Sequence, residues 1–116
     1  MNYIKSLMQR EDEHIDEIKK IKYTIEQLEN LLEETISNRY REHQMSFNLT
    51  SNVFEYPHQY YKHYLQKYRL DNDIKEIKNI IKIEHERLEK QRNCLNDISK
   101  EKKLLNNIDI DAMTYI

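Results

Sequence analysis

Glycine and tryptophan are absent from the 116 residues, and proline occurs only once, at Pro57. Tight β-hairpins and the corners of β-sheets depend on glycine and proline, so this composition disfavours all-β and Rossmann-like folds. A chain without glycine also cannot form a phosphate-cradling loop of the Walker or dinucleotide-binding type. The composition therefore favours an all-α protein.

Cysteine is almost as rare, because Cys94 is the only one in the sequence. One cysteine cannot form an intrachain disulfide or a thiolate metal cluster. The first ten residues contain no apolar run of signal-peptide length, and no window approaches the ~18 apolar residues of a membrane span. We therefore expect an intracellular protein of a reducing compartment, the cytoplasm or nucleus, without a membrane span.

Apolar residues make up 38% of the chain and charged residues 34%, which leaves material for only a thin core. In the second half, the apolar residues recur at the a and d positions of a seven-residue repeat. They are Ile74, Ile77, Ile81, Leu88, Leu95, Ile98 and Leu105. Three polar residues, Glu84, Gln91 and Lys102, interrupt this stripe. Such an imperfect heptad helix needs a partner along one narrow seam.

The first half contains a second heptad stripe. Its residues are Ile18, Ile21, Ile25, Leu28 and Leu32. The step then changes to four residues at Ile36 and Tyr40, which predicts that the seam drifts around the helix. Towards the N-terminus, Glu11 and His14 occupy seam positions and predict a polar layer.

These patterns predict a single helical domain, an all-α antiparallel helical hairpin or coiled coil. The segments are a helix at about 3–44, a connector at 45–56, a tyrosine-rich helix at 57–70, a heptad helix at 74–106 and a C-terminal tail at 108–116. Asp73 and Glu76 have the spacing of a helix capping box, so a short third helix in the middle is an alternative architecture. The seam itself would equally serve an interchain coiled coil.

The distribution of charge favours pairing of the two halves. Residues 1–44 contain seven Lys or Arg against ten Asp or Glu, whereas residues 57–107 contain twelve against eight. Opposite net charge favours two helices lying side by side, modestly and in a salt-dependent way. Folding the chain about the connector places Ile25 opposite Ile77 and Glu11 near Gln91.

Two spacings resemble catalytic or metal-binding motifs but are incomplete. Glu11-x-x-His14 has the spacing of di-iron helix bundles, which require a second such pair on the seam. His85-Glu86 begins like a metalloprotease motif, but Glu89 occupies the place of the second histidine. We therefore expect no enzyme activity, no catalytic residue, no metal and no cofactor.

Five residues after Pro57 form an aromatic stripe. On a helix, they fall within an arc of roughly 140°. They are Tyr60, Tyr61, Tyr64, Leu65 and Tyr68. The stripe could be a buried face packed on Phe47 and Phe54, or an interface with a partner protein. It could also stack on nucleic-acid bases, with phosphates held by three neighbours, Lys62, Lys67 and Arg69.

The function that we expect is that of a non-enzymatic structural or adaptor subunit. It would form coiled-coil contacts within a larger assembly, with copies of itself or with other proteins. The alternative is a nucleic-acid-associated factor that uses the basic, tyrosine-rich second half. The order of long helix, short middle and long helix also resembles a prefoldin subunit, which implies a chaperone. Because residues 57–70 are typical of a helix where that family has strands, this is a lesser alternative.

Overall fold

The computed structural model describes the backbone of residues 2–49 and 57–114 and the side chains of residues 3–48 and 57–107. It contains two long helices, α1 (Asn2–Leu49) and α2 (Pro57–Thr114), of 48 and 58 residues. The described ranges contain no strand, and residues 57–70, where a prefoldin subunit requires strands, are helical. The predicted all-α helical hairpin is confirmed.

The first helix is longer than the sequence predicts, because residues 45–49 belong to α1 and not to the connector. Ser46 is buried and donates its hydroxyl to the carbonyl oxygen of His43 at 3.0 Å. This local bond accommodates in the helix a residue type that usually favours turns. Pro57 starts α2, where its missing N–H group costs nothing. The rest of the predicted connector, with Val53 and Phe54, lies outside the described residues.

The second helix runs through Asp71, Asn72 and Asp73 without a break, so there is no short third helix among the described residues. Asp71 accepts a hydrogen bond from Nε of Arg39 at 2.8 Å, which ties this turn to α1. A capping-box sequence favours a helix start but cannot end a helix that seam contacts hold on both sides. The helix also continues into the predicted tail, as far as Thr114.

The helices contribute to two compact units, of which the first combines residues 1–24 with residues 84–116. Nη2 of Arg10 lies 3.7 Å from a carboxylate oxygen of Glu101, and Oε1 of Glu17 lies 3.4 Å from Nη2 of Arg87. Rising residue numbers in α1 thus meet falling numbers in α2. The two segments of this unit are antiparallel.

The second unit comprises residues 25–83 and has the same antiparallel order. Arg39 contacts Asp71, and His43 contacts Lys67, whose Nζ lies 3.1 Å from Nδ1 of the histidine. Side-chain pairs between the helices therefore hold this unit as well.

The pairing in the first unit is shifted from the predicted alignment, by three residues for Gln91 and by eleven residues for Glu11. Gln91 contacts His14 and not Glu11, because its Oε1 lies 2.5 Å from Nδ1 of the histidine. Glu11 instead forms an ion pair with Lys102 at 2.7 Å. The predicted alignment is wrong in this detail. The sequence segment that separates α1 from α2 is centred later in the chain than the predicted connector.

The seam between the helices holds the apolar core. The buried seam residues are Leu7, Ile21, Ile25, Ile77, Leu88 and Ile98. The half-buried predicted seam residues are Ile18, Leu28, Leu32, Ile74, Ile81 and Leu95. Ile36 and Tyr40, which the predicted drift places on the seam, are exposed. The heptad positions therefore face the partner helix in both units.

The predicted drift of the α1 seam does not occur. Ile36 and Tyr40 are exposed, whereas Thr35 is buried and continues the seven-residue repeat. Thr35 can be buried because its hydroxyl donates to the carbonyl oxygen of Leu31 at 2.7 Å. The drift was inferred from apolar residues alone, and the seam here passes through polar residues whose hydrogen bonds are made.

Candidate protein-binding surface

The histidine and glutamate with di-iron spacing are engaged in contacts across the first unit. Glu11 pairs with Lys102, and His14 contacts Gln91. Across the described residues, no three His, Cys, Asp or Glu side chains are grouped so that they could hold a metal ion. This polar layer interrupts the apolar seam and fixes which residues lie opposite each other.

Replacing this layer by apolar residues, as His14→Leu with Gln91→Leu, is expected to raise the free energy of unfolding by about 1–3 kcal/mol. The free energy of unfolding rises because two partly buried polar side chains are replaced by apolar side chains on the seam. Urea denaturation followed by circular dichroism measures the change. His14→Leu alone is the control and should gain less, because it leaves Gln91 without its partner. A less stable double variant would contradict the seam position of this layer.

The aromatic stripe of α2 is on the surface of the second unit. Tyr61, Tyr64 and Tyr68 are 63%, 50% and 62% exposed, and Leu65 is 52% exposed. Tyr60 is half-buried. Phe47, which was considered as a packing partner, is itself exposed, and Phe54 lies outside the described residues. The stripe is therefore a surface feature and not the core of this unit.

Polar residues of the same segment face α1 instead. Nδ1 of His63 lies 2.5 Å from a carboxylate oxygen of Glu42, and both side chains are more than three-quarters buried. One turn further, Lys67 contacts His43. Lys67 is one of the three basic residues that the sequence suggests for phosphate binding. Its side chain instead contacts α1 at the seam. Lys62 and Arg69 are exposed.

Helix α1 adds to the aromatic stripe on the same side of the second unit. With Ile25 and Ile74 at heptad position a, Tyr64 and Ile36 occupy position e, which flanks the seam. In an antiparallel pair, e positions of one helix lie beside e positions of the other, and g positions beside g positions. The first unit shows this for position g, in the pair of Arg10 with Glu101. Ile36 thus lies on the side that carries Tyr64.

We call the resulting surface the aromatic face. It consists of Ile36, Tyr40, Tyr61, Tyr64, Leu65 and Tyr68, all exposed. The rings of Tyr60 and Tyr64 stack with centroids 6.4 Å apart and planes 18° from parallel. Because a stacked ring has lost part of its rotamer freedom, less entropy remains to be lost when this surface binds a partner.

Two rows of charged residues, one acidic and one basic, lie on the same side of the unit as the aromatic face. They are further along the helices. The acidic row on α1 is Glu26, Glu29 and Glu33, and the basic row on α2 is Lys75, Lys78 and Lys82. All six side chains are exposed, and they follow the same b and e positions as the aromatic residues. Within the ranges that the structure describes, neither row forms an ion pair.

Sequence reasoning found the tyrosines of α2 but missed the contribution of α1. The sequence analysis predicts a drifting seam at Ile36 and Tyr40 and does not predict His63 as a seam residue. The positions of these residues relative to the seam could have been predicted by continuing the seven-residue repeat through polar residues. It runs unbroken from Leu32 through Thr35 to Ser46.

Large apolar side chains are exposed more often than they are buried. Among the described residues, sixteen large hydrophobic side chains are exposed, whereas six apolar side chains are buried. Exposed apolar side chains that lie on one side of a protein, as on the aromatic face, are typical of interaction sites in soluble proteins. None of the described helix segments is both long and apolar enough to span a membrane.

Comparison of the chain with protein-family models, with curated proteins and with solved structures gave no match. The surface and the fold of this chain are therefore the basis for its functional assignment.

Proposed function

We propose that this chain is a non-enzymatic structural or adaptor subunit that forms helix-to-helix contacts within a larger protein assembly. The observation that carries this proposal is the aromatic face on the second unit. Tyrosine is enriched at binding hot spots because it supplies a large apolar area and a hydroxyl group at low entropic cost. The single, half-buried Cys94 suits a reducing intracellular compartment, the cytoplasm or nucleus.

The thin core supports the same proposal. A helix pair that buries one narrow seam has little stability to spare, since isolated helices gain most of their stability from packing. Additional helices packed on the exposed faces would bury the remaining apolar side chains. A partner that binds only the folded state would also stabilise the fold by mass action.

A protein partner fits the aromatic face better than a nucleic acid does. Lys67 is held in the seam by His43, so two exposed basic residues, Lys62 and Arg69, remain beside the tyrosines. The acidic row lies on the same side of the unit as the basic row and offsets its attraction for phosphate groups. A nucleic-acid role remains the second candidate, and it requires binding that weakens steeply as salt rises.

The mass and helix content of the purified chain over a concentration series test the proposal. We expect either a helical species heavier than the 14.4 kDa chain, or a poorly helical chain that gains helix with a protein partner. Light scattering measures the mass, and circular dichroism measures the helix content. A cooperatively folded helical monomer at every concentration would count against an assembly role.

A further inference from the structure

We propose that the partner bound by the aromatic face is a second copy of this chain, so that two hairpins pack into a four-helix bundle. This inference rests on the proposed assembly role and names the partner for it. The two copies meet through the same side of the second unit, related by a two-fold axis parallel to the helices. In this arrangement, α1 of one copy lies against α2 of the other.

The area of the aromatic face matches the requirement of a small homodimer. Tyr40, Tyr61, Tyr64 and Tyr68 are between 50% and 63% exposed, and Ile36 and Leu65 are 45% and 52% exposed. With roughly 200 Å² for a tyrosine, the face offers about 600 Å² per copy. A dimer would bury about 1,200 Å² in total, the lower end of the range for specific interfaces, before the charged rows are counted.

The charged rows select this arrangement among those that cover the aromatic face. A two-fold axis parallel to the helices leaves each residue at the same height along that axis. Across the interface, it places α1 of one copy opposite α2 of the other. The acidic row of one copy, Glu26, Glu29 and Glu33, then lies at the level of the basic row of the other, Lys75, Lys78 and Lys82. Opposite charges at the rim of an interface fix its alignment and speed association.

The helix directions are compatible with this arrangement. Within the second unit, α1 and α2 are antiparallel, as the contacts of Arg39 with Asp71 and of His43 with Lys67 show. Placing α1 against α2 of the other copy makes each of these new neighbours antiparallel as well. Antiparallel neighbours oppose their helix dipoles and match the up-and-down order of four-helix bundles.

Substitution of the aromatic face tests the inference on the full-length chain. We expect sedimentation equilibrium of the unmodified chain to show a dimer in the micromolar range. The variant Tyr61→Gln, Tyr64→Gln, Tyr68→Gln should raise the dimer dissociation constant at least about 100-fold, since three hot-spot side chains are removed. Glutamine is a good helix former, so helix content should be retained in circular dichroism.

The matched control removes equally exposed apolar residues from the other side of the same unit. Leu31, Ile80 and Ile83 are 46%, 45% and 46% exposed and do not lie on the aromatic face. Their replacement by glutamine should leave the dissociation constant within about threefold of that of the unmodified chain. Equal effects of the two triple variants would overturn the inference.

A charge-exchange experiment tests the arrangement independently and does not depend on the tyrosine variant folding. One chain carries its basic row changed to Glu, and a second chain carries its acidic row changed to Lys. Each chain alone opposes like charges across the interface and should dimerise more weakly. A mixture should form the heterodimer in preference to either homodimer, because opposite rows then face each other. A mixture that shows no such preference would overturn the arrangement.

The outcomes separate this inference from the proposed function. A helical oligomer that is unaffected by the tyrosine variant and shows no preference in the mixture overturns the aromatic-face dimer and leaves the assembly role standing. A chain that becomes helical only when a different protein is added also overturns the aromatic-face dimer and leaves the assembly role standing. A stable helical monomer at every concentration overturns both. Loss of the dimer in the tyrosine variant alone, with preferential pairing in the mixture, supports both.

Discussion

Ile77→Asp is expected to destabilise the second unit by more than about 3 kcal/mol, enough to remove most of its helix content. Ile77 is 8% exposed and lies on the seam between the helices. The substitution removes a buried apolar side chain and places a carboxylate at a buried seam position, so the folded state must desolvate the charge or protonate it. Chemical denaturation followed by far-ultraviolet circular dichroism measures the loss.

Ile80→Asp is the matched control, because it makes the same chemical change on the same helix. Ile80 is 45% exposed, so its carboxylate stays in water and the expected loss is under about 1 kcal/mol. Helix propensity is changed equally in the two variants and cancels in the comparison. Equal losses would mean that α2 does not face α1 through the heptad seam.

Asn72→Pro is expected to have the second large effect, a loss of about 3 kcal/mol or more. Asn72 lies in the interior of the continuous helix α2, and its side chain is exposed, so it contributes little to the seam. Proline there removes a backbone hydrogen bond, and its ring clashes with the carbonyl oxygen of Tyr68. The unfolding transition monitored by circular dichroism would move to lower denaturant.

The control for this change is Asn72→Ala, which removes the same side chain and keeps the backbone N–H group. It should stabilise α2 slightly, since alanine is the better helix former. If α2 ended near Asp71 and restarted after Asp73, as the capping-box sequence suggested, proline at position 72 would be tolerated. Similar stability of the proline and alanine variants would therefore argue for a broken helix.

Heptad spacing was sufficient to predict two long helices with one apolar stripe each, because apolar residues at steps of three and four lie on one face of a helix. The predicted seam residues, from Ile18 to Ile98, are buried or half-buried. The ends of the helices were harder to predict. Ser46 belongs to a residue type typical of turns, yet it lies buried inside α1 because its hydroxyl bonds to the preceding turn.

The aromatic face was only partly predictable. The arc of the tyrosines follows from the geometry of one helix, but whether that arc faces α1 or solvent depends on how α2 is rotated. The rotation is set by the seam, which here passes through His63 and Lys67. Sequence reasoning looked for apolar residues at the seam and so left the burial of the tyrosines undecided.

The sequence by itself determined that this chain forms two long helices and that each carries one heptad stripe. Local spacing encodes this, because the period of the apolar pattern is a property of each helix alone. Only the tertiary structure decided which polar residues complete the seam and that Ile36 and Tyr40 join the tyrosines on one surface. Polar pairs such as Glu42 with His63 become acceptable at a seam only when the partner helix supplies the matching group, and that partner is distant in sequence.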